Sequence, residues 1–172
     1  AGPVGRGVLS RGAWGDRVAV TVGFRSVARA IPVGAAVGLG AVHAGGAGGM
    51  LLMRVVDGAL AIPRLFILLL ILAMQSPVAL WLLILVLGTT GWFGVSRITR
   101  GETLRVKQEL YVEAAEALGA RTPRIIFRHL LPNTIGPLLV AATLGVGDVI
   151  LLEAGLSFLG LGIQPPQPSW GG

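Results

Sequence analysis

No cysteine occurs anywhere in the 172 residues. Disulfides, thiolate metal sites and a cysteine nucleophile are therefore excluded, and cysteine usage says nothing about redox compartment. Charge is scarce too: 13% of the residues are Asp, Glu, Lys or Arg, against about 25% in an ordinary soluble domain. The two histidines, His43 and His129, lie far apart in the sequence with no ligand cluster around either, so no metal site is expected and both read as structural. There is no GxxxxGKS or GxxxxGKT phosphate loop, so ATP, if used, must be handled by another chain. "GGAGG" from Gly45 reads as a flexible turn and not as a phosphate cradle, since no strand precedes it. The opening "AGPVGRGVLSRGAWG" has no initial Met and no apolar core behind its basic residues. It does not read as a signal peptide, and the chain is expected to be a fragment.

What is abundant is apolar: 53% of the residues are hydrophobic and the mean hydropathy is +0.80. This is the composition of a membrane protein. A formal net charge of +6 does not point to nucleic acid, because the basic residues sit between apolar runs and not on one exposed basic face. Four apolar segments can be drawn, at about Val18 to Val42, Ala59 to Met74, Val78 to Val95 and Thr134 to Glu153. A helix needs about 20 residues to cross roughly 30 Å of hydrocarbon. The second and third are short but workable with flanking residues. "LFILLLILAM" and "VALWLLILVL" do not alternate polar with apolar, which disfavours a barrel. The expected fold class is all-α, a polytopic membrane helical bundle with four spans.

Seven of the 14 Lys and Arg lie between the third and fourth segments: Arg97, Arg100, Arg105, Lys107, Arg121, Arg124 and Arg128. Basic residues concentrate on the cytoplasmic side, so this loop, about 97 to 133, is expected inside. The Gln75-Ser76-Pro77 turn, which has none, is expected outside. Arg54 and Arg64 fit that orientation; Arg6, Arg11 and Arg17 oppose it and are outweighed. Both chain ends then fall outside, which implies a missing flanking helix at each end.

Within the loop, "YVEAAEALGARTPRIIFRHLLPN" at residues 111–133 is the most polar long stretch. One helix is expected from about Leu104 to Leu118, with Glu102, Glu109, Glu113 and Glu116 on an acidic face and Leu104, Tyr111, Ala115 and Leu118 on a mostly apolar one. Gly119 is expected to end it in the left-handed conformation. Thr122-Pro123 reads as an N-cap followed by proline at the first helical position, opening a short helix that carries Arg121, Arg124 and Arg128 and that Pro132 limits. On residue pattern alone a solvated connector is favoured. That account leaves the small "EAA" patch and the sharp glycine turn unexplained.

Ionisable residues also fall inside the spans: Arg25 and Arg29 in the first, Asp148 and Glu153 in the fourth. Such groups usually face a bundle interior or a water-filled cavity. They could line a polar pathway, with an Arg–Asp contact, or snorkel to the interface. Glu153 reads as snorkelling; for Asp148 both readings stay open. The tail "LSFLGLGIQPPQPSWGG" reads equally as a partly embedded segment meeting an external protein or as an ordinary connection.

Glu113-Ala114-Ala115, then Gly119, then "HLLP" at His129 to Pro132, resembles the EAA loop of binding-protein-dependent ABC transporter permeases. "FRHLLPN", "LLMRVVDGALAIPRL" from Leu51 and "EAGLSFLGLGIQPPQPSWG" from Glu153 resemble the dipeptide, oligopeptide and nickel branch, over nearly the whole chain. His129 stands where the general pattern has an aliphatic residue. Other departures are Gly5-Arg6-Gly7 in place of Gly-Arg-Asp, Arg25 and Arg29 in the first span, and Arg64 after Pro63.

The resemblance implies a type I, MetI-like permease domain in a bacterial inner membrane. It implies a second permease subunit, cytoplasmic ATPase subunits that hold ATP and Mg, and an extracytoplasmic substrate-binding protein. This chain would itself be non-catalytic and bind no cofactor. Glu113, Ala114, Ala115, Gly119, His129 and Pro132 would couple to the ATPase; the pathway-lining reading of Asp148, Arg25 and Arg29 rests on their place inside the spans and not on the resemblance. Peptides are the expected cargo, with nickel and other small solutes open. A secondary transporter or channel subunit would share the helices but need no EAA-type loop, and a membrane scaffold would give no ATP-dependent uptake.

Overall fold

The computed structural model describes residues 3–75 and 78–163. Among them the backbone is helical and no strand occurs, as the non-alternating apolar runs predict. The elements are α1 (Pro3–Ala44), α2 (Gly46–Ala61), α3 (Arg64–Ala73), α4 (Leu80–Lys107), α5 (Leu110–Ala117), α6 (Thr122–Ile125) and α7 (Leu131–Phe158), with a π-helical turn, Ile126–Leu130, joining α6 to α7. Gly12–Ala44, Leu80–Lys107 and Thr122–Phe158 are each long and apolar enough to cross a membrane; α2 and α3 make a fourth span only if a broken pair counts as one.

That break corrects the expected second span. Ile62 precedes a proline, which disfavours helical backbone at the residue before it, so α2 stops at Ala61 and Pro63 caps α3 in an extended conformation (φ −54°, ψ 121°). The reading of "GGAGG" as a turn holds at its first two glycines and is corrected for the rest. Only Gly45 lies outside a helix, and Gly46 to Gly49 form the first turn of α2. The reversal is made by left-handed Gly45 (φ +57°) and Gly46 (φ +43°), a conformation that glycine adopts at little steric cost. Ser76 and Pro77 of the expected external turn, and the tail from Gln164, lie outside the described residues, as do the side chains of Arg6 and Arg11.

The chain forms two compact units. One comprises Ala1–Arg29, Ile62–Gly91 and Leu144–Gly172; the other comprises Ala30–Ala61 and Trp92–Thr143. In the first, Val22, Leu68, Leu72, Leu83, Leu87 and Leu156 are wholly buried. Small residues let α1 approach its neighbours: a Cβ added to Gly23 would lie 3.1 Å from the Val146 side chain, and one on Gly88 would lie 3.2 Å from the Ser26 carbonyl. Ser26 Oγ also donates to the Ile84 carbonyl at 3.3 Å.

In the second unit the approach of α1 to α4 is closer still. A Cβ on Gly34 would sit 2.5 Å from Val95 Cβ, and one on Gly38 would sit 2.6 Å from Thr99 Cβ. Glycines four apart share a helix face and allow backbone-close packing, the means of association available where no water drives helices together. Thr99 and Thr103 face this region fully buried, their hydroxyls donating to the Val95 and Thr99 carbonyls. Ala41, Met53 and Val56 form a second cluster with Trp92 and Phe93 packed on it.

Candidate functional site

The expected single helix from Leu104 to Leu118 is broken at Gln108-Glu109, between α4 and α5. Packing explains the break. Val106 and Val112 are 1% and 0% exposed and share a core cluster with Ile125 and Leu130, yet six residues apart on one straight helix they would face directions about 120° apart. Glu109 turns extended (φ −75°, ψ 139°) and starts α5 anew, with Val112 N–H donating to its carbonyl at 2.9 Å. The single acidic face is therefore also corrected. Arg105 pairs with Glu102 at 2.9 Å and with Glu109 at 3.7 Å, while Glu113 and Glu116 belong to α5, Glu113 in its first turn, where a negative charge suits the helix dipole.

Val112 is the buried anchor of α5. The face expected to be mostly apolar is presented outward: Leu104 is 39% exposed, Tyr111 44% and Leu118 88%, with Leu110 beside them at 81%. Gly119 ends α5 at φ +79°. Its N–H donates to the Glu116 carbonyl at 2.9 Å, and Ala120 N–H reaches back to Ala115 at 3.0 Å, the paired bonds of a Schellman end. After this corner Arg121, not Thr122, is the extended cap of α6 (φ −69°, ψ 148°); its carbonyl accepts from Ile125 N–H at 3.2 Å and no side chain caps the helix. Thr122 is already inside the first turn.

Pro132 does not stop the helix; it lies in the first turn of α7. A proline there would ordinarily meet the carbonyl four residues back. The π turn before it is wider, with Leu131 N–H donating to Ile126 five residues back, and makes room for the ring. The turn serves the core too. Ile125 and Leu130 are both buried, and five residues apart on an ordinary α-helix they would diverge by about 140°.

The corner and the π turn together form an open cleft of about 500 Å³, lined by Tyr111, Ala114, Ala115, Leu118, Gly119, Ala120, Arg124, Arg128 and His129. Of the residues expected to couple, Ala114, Ala115, Gly119 and His129 meet here. Glu113 is exposed on α5 and Pro132 exposed on α7, and neither lines the cleft. His129 lies beside Tyr111, ring centroids 6.0 Å apart. Leu118, Arg124 and Arg128 are additional lining residues. Their signal was the i, i+4 spacing of the two arginines after a glycine corner that turns their helix back toward α5. Two guanidiniums and no carboxylate line the cleft, so it favours an acidic partner.

The intramembrane charges arrange themselves differently from the expected Arg–Asp contact. Asp148 pairs with Arg64 of α3, Nη1 to Oδ2 at 2.9 Å, while Arg25 and Arg29 are exposed on α1 without an ion pair among the described residues. Arg64 is further held by the Leu87 carbonyl (Nη2, 2.8 Å) and Thr90 Oγ1 (Nε, 3.1 Å). Glu153 does not snorkel: it is 0% exposed. Ser157 Oγ donates to Glu153 Oε1 at 2.7 Å and itself accepts from Ile163 N–H at 3.2 Å, while Glu153 Oε2 has no hydrogen-bond partner among the described residues. The cause is a second Schellman corner at Gly160 (φ +76°), where Leu161 N–H donates to Leu156 at 2.9 Å and folds the chain back over Ser157.

Helices long and apolar enough to cross a membrane, with a polar helical corner between two of them, define a polytopic membrane protein. The family described as "binding-protein-dependent transport system inner membrane component" matches residues 30–172, and the chain belongs to it. Over 168 residues it is 39% identical to the dipeptide transport system permease protein of Bacillus subtilis (strain 168), covering 98% of this chain and 52% of that protein. It is 36% identical over 168 residues to the oligopeptide transport system permease protein of the same organism, covering 98% and 55%. With the corresponding Haemophilus influenzae protein the figures are 36% over 167 residues, 97% and 53%. The chain thus spans about half the length of the curated relatives it matches.

Proposed function

We propose that this chain is part of the permease subunit of an ATP-driven, binding-protein-dependent importer of peptides or related small solutes, and that the α5–Gly119–α6 corner docks a separate ATPase. The observation that carries the reading is the cleft at that corner, where small Ala114 and Ala115, protruding Leu118 and the pair Arg124 and Arg128 present a shaped, basic surface held by the Gly119 Schellman bonds. A solvated connector needs neither a buried anchor at Val112 nor an outward leucine.

In this reading Leu118 inserts into an apolar pocket of the ATPase, the two arginines meet carboxylates on its rim, and Gly119 sets the angle between the two contacts. ATP and Mg are bound by the ATPase subunits. Their closure draws the corner of this chain toward that of a second permease subunit and turns the path outward, where a substrate-binding protein delivers cargo. Glu113, outside the cleft, contributes through the first-turn charge of α5.

The test is co-purification with the ATPase and cargo-stimulated ATP hydrolysis in a bacterial inner-membrane preparation. Gly119→Val places a β-branched residue at φ +79°, a conformation that costs about 1 to 2 kcal/mol outside glycine. It should leave insertion intact and lower both readouts. Arg124→Glu combined with Arg128→Glu should do the same through charge alone, and Glu113→Lys should have a smaller effect. If all three variants assemble and hydrolyse as the wild type does, the corner is a connector and the docking assignment is wrong.

A further inference from the structure

Asp148 carries a carboxylate only half engaged. Oδ2 is taken by Arg64, whose guanidinium is fixed by three acceptors, Asp148, the Leu87 carbonyl and Thr90 Oγ1. Oδ1 meets none of the described residues, and the Asp148 side chain is 61% exposed. Depth makes this notable. Arg64 is the first residue of α3, whose end is Ala73, and Asp148 precedes the end of α7 at Phe158 by ten residues. Each is therefore about 15 Å of helix rise from its outer end, roughly half of a 30 Å hydrocarbon layer.

An open carboxylate oxygen at that level is costly against lipid and belongs beside water or a cation. Arg64, which holds Asp148, also adjoins the break at Pro63, and secondary transporters gather substrate-binding groups at broken helices near the midplane. A cargo carboxylate would meet like charge at this oxygen; a primary ammonium would meet its counter-ion.

We propose that Asp148, clamped through Oδ2 by Arg64, offers Oδ1 as a mid-membrane station for the ammonium group of the cargo, so that the path favours solutes with a free amine. This rests on the permease reading above and adds a recognition step inside the membrane. Arg64 is the positioning residue: it holds the carboxylate in one orientation.

The experiment uses the full-length transporter with its second permease and ATPase subunits, in detergent for binding and in lipid vesicles for uptake. The probe is radiolabelled alanyl-alanine. Binding is measured without the substrate-binding protein, so that selection by that protein does not enter. Saturable binding should be displaced by unlabelled alanyl-alanine and not by its N-acetyl derivative. Asp148→Asn keeps an oxygen for Arg64 and loses the charge; it should weaken binding and uptake at least tenfold while the ATPase still co-purifies. Arg64→Leu combined with Asp148→Leu should remain as deficient as Asp148→Asn.

Any of five results overturns the proposal: no saturable binding to the wild type, displacement by the acetylated peptide, unchanged behaviour of Asp148→Asn, recovery in the double variant, or loss of the second permease subunit from the Asp148→Asn complex. Recovery would make the pair a structural staple, and loss of the subunit would make Asp148 an interface residue. ATPase co-purification, read in parallel, reports separately on the docking assignment.

Discussion

Ser157 joins three parts of the chain through one hydroxyl, accepting from Ile163 N–H and donating to Glu153. Ser157→Ala would strand two buried polar groups, and a buried donor or acceptor left unsatisfied costs about 1 to 3 kcal/mol. Thermal unfolding of the solubilised chain should show a clear drop in midpoint. Gly160→Ala, which strains φ +76° by about 1 to 2 kcal/mol, should show a smaller one. If Ser157→Ala melts with the wild type, the relay bears no load. Neither the corner at Gly160 nor the burial of Glu153 was read from the sequence. Position along a helix gives depth, whereas the surroundings of Glu153 include the chain after Gly160 folding back onto Ser157, its hydrogen-bond partner.

At the scale of elements, the apolar runs located the helices and Gly119 marked its corner correctly. The break at Pro63 followed a local rule, the restriction on the residue before proline. Two other departures share a different cause: a continuous helix through Leu104 to Leu118 and a stop at Pro132 were both judged from local preference. The outcome depended on which faces must reach a common core, as with Val106 and Val112. The meeting of α1 with α4 gives a prediction of its own. A side chain at Gly38 would overlap Thr99, whereas one at Gly40 meets nothing within 4 Å. Gly38→Val should therefore lower the melting midpoint strongly, since forcing side chains into a packed site costs about 1 to 3 kcal/mol, and Gly40→Val should leave it within about 0.5 kcal/mol of wild-type stability. Equal midpoints for the two variants would refute the close crossing.

For the molecule as a whole, the most apolar window of α7 has only 11% of its residues buried by the rest of the chain, and Leu139, Val140, Leu144 and Leu151 are each at least 60% exposed. Surface this apolar requires lipid or another membrane helix around it. The membrane class was thus legible from composition, while the full lining of the cleft was not, because its walls come from residues up to eighteen positions apart, Tyr111 to His129. Orientation is testable at this scale because the native chain has no cysteine. A cysteine at Gln75 should react with an impermeant maleimide in intact cells, and one at Gln108 only after permeabilisation. The reverse pattern would invert the topology drawn from the basic residues.

The π turn at Ile126–Leu130 carries a further consequence, for how sequences of this kind should be aligned. A π turn accommodates one residue more than an α turn while the helix on either side keeps its phase. A relative one residue shorter here could form a plain α-helix and still present the counterparts of Thr134 and Leu138, both buried, toward the same core. Chain length and spatial register are uncoupled at this one place. A single-residue gap therefore belongs inside 126–130, and an alignment that shifts it into α7 would pair residues from different faces of that helix.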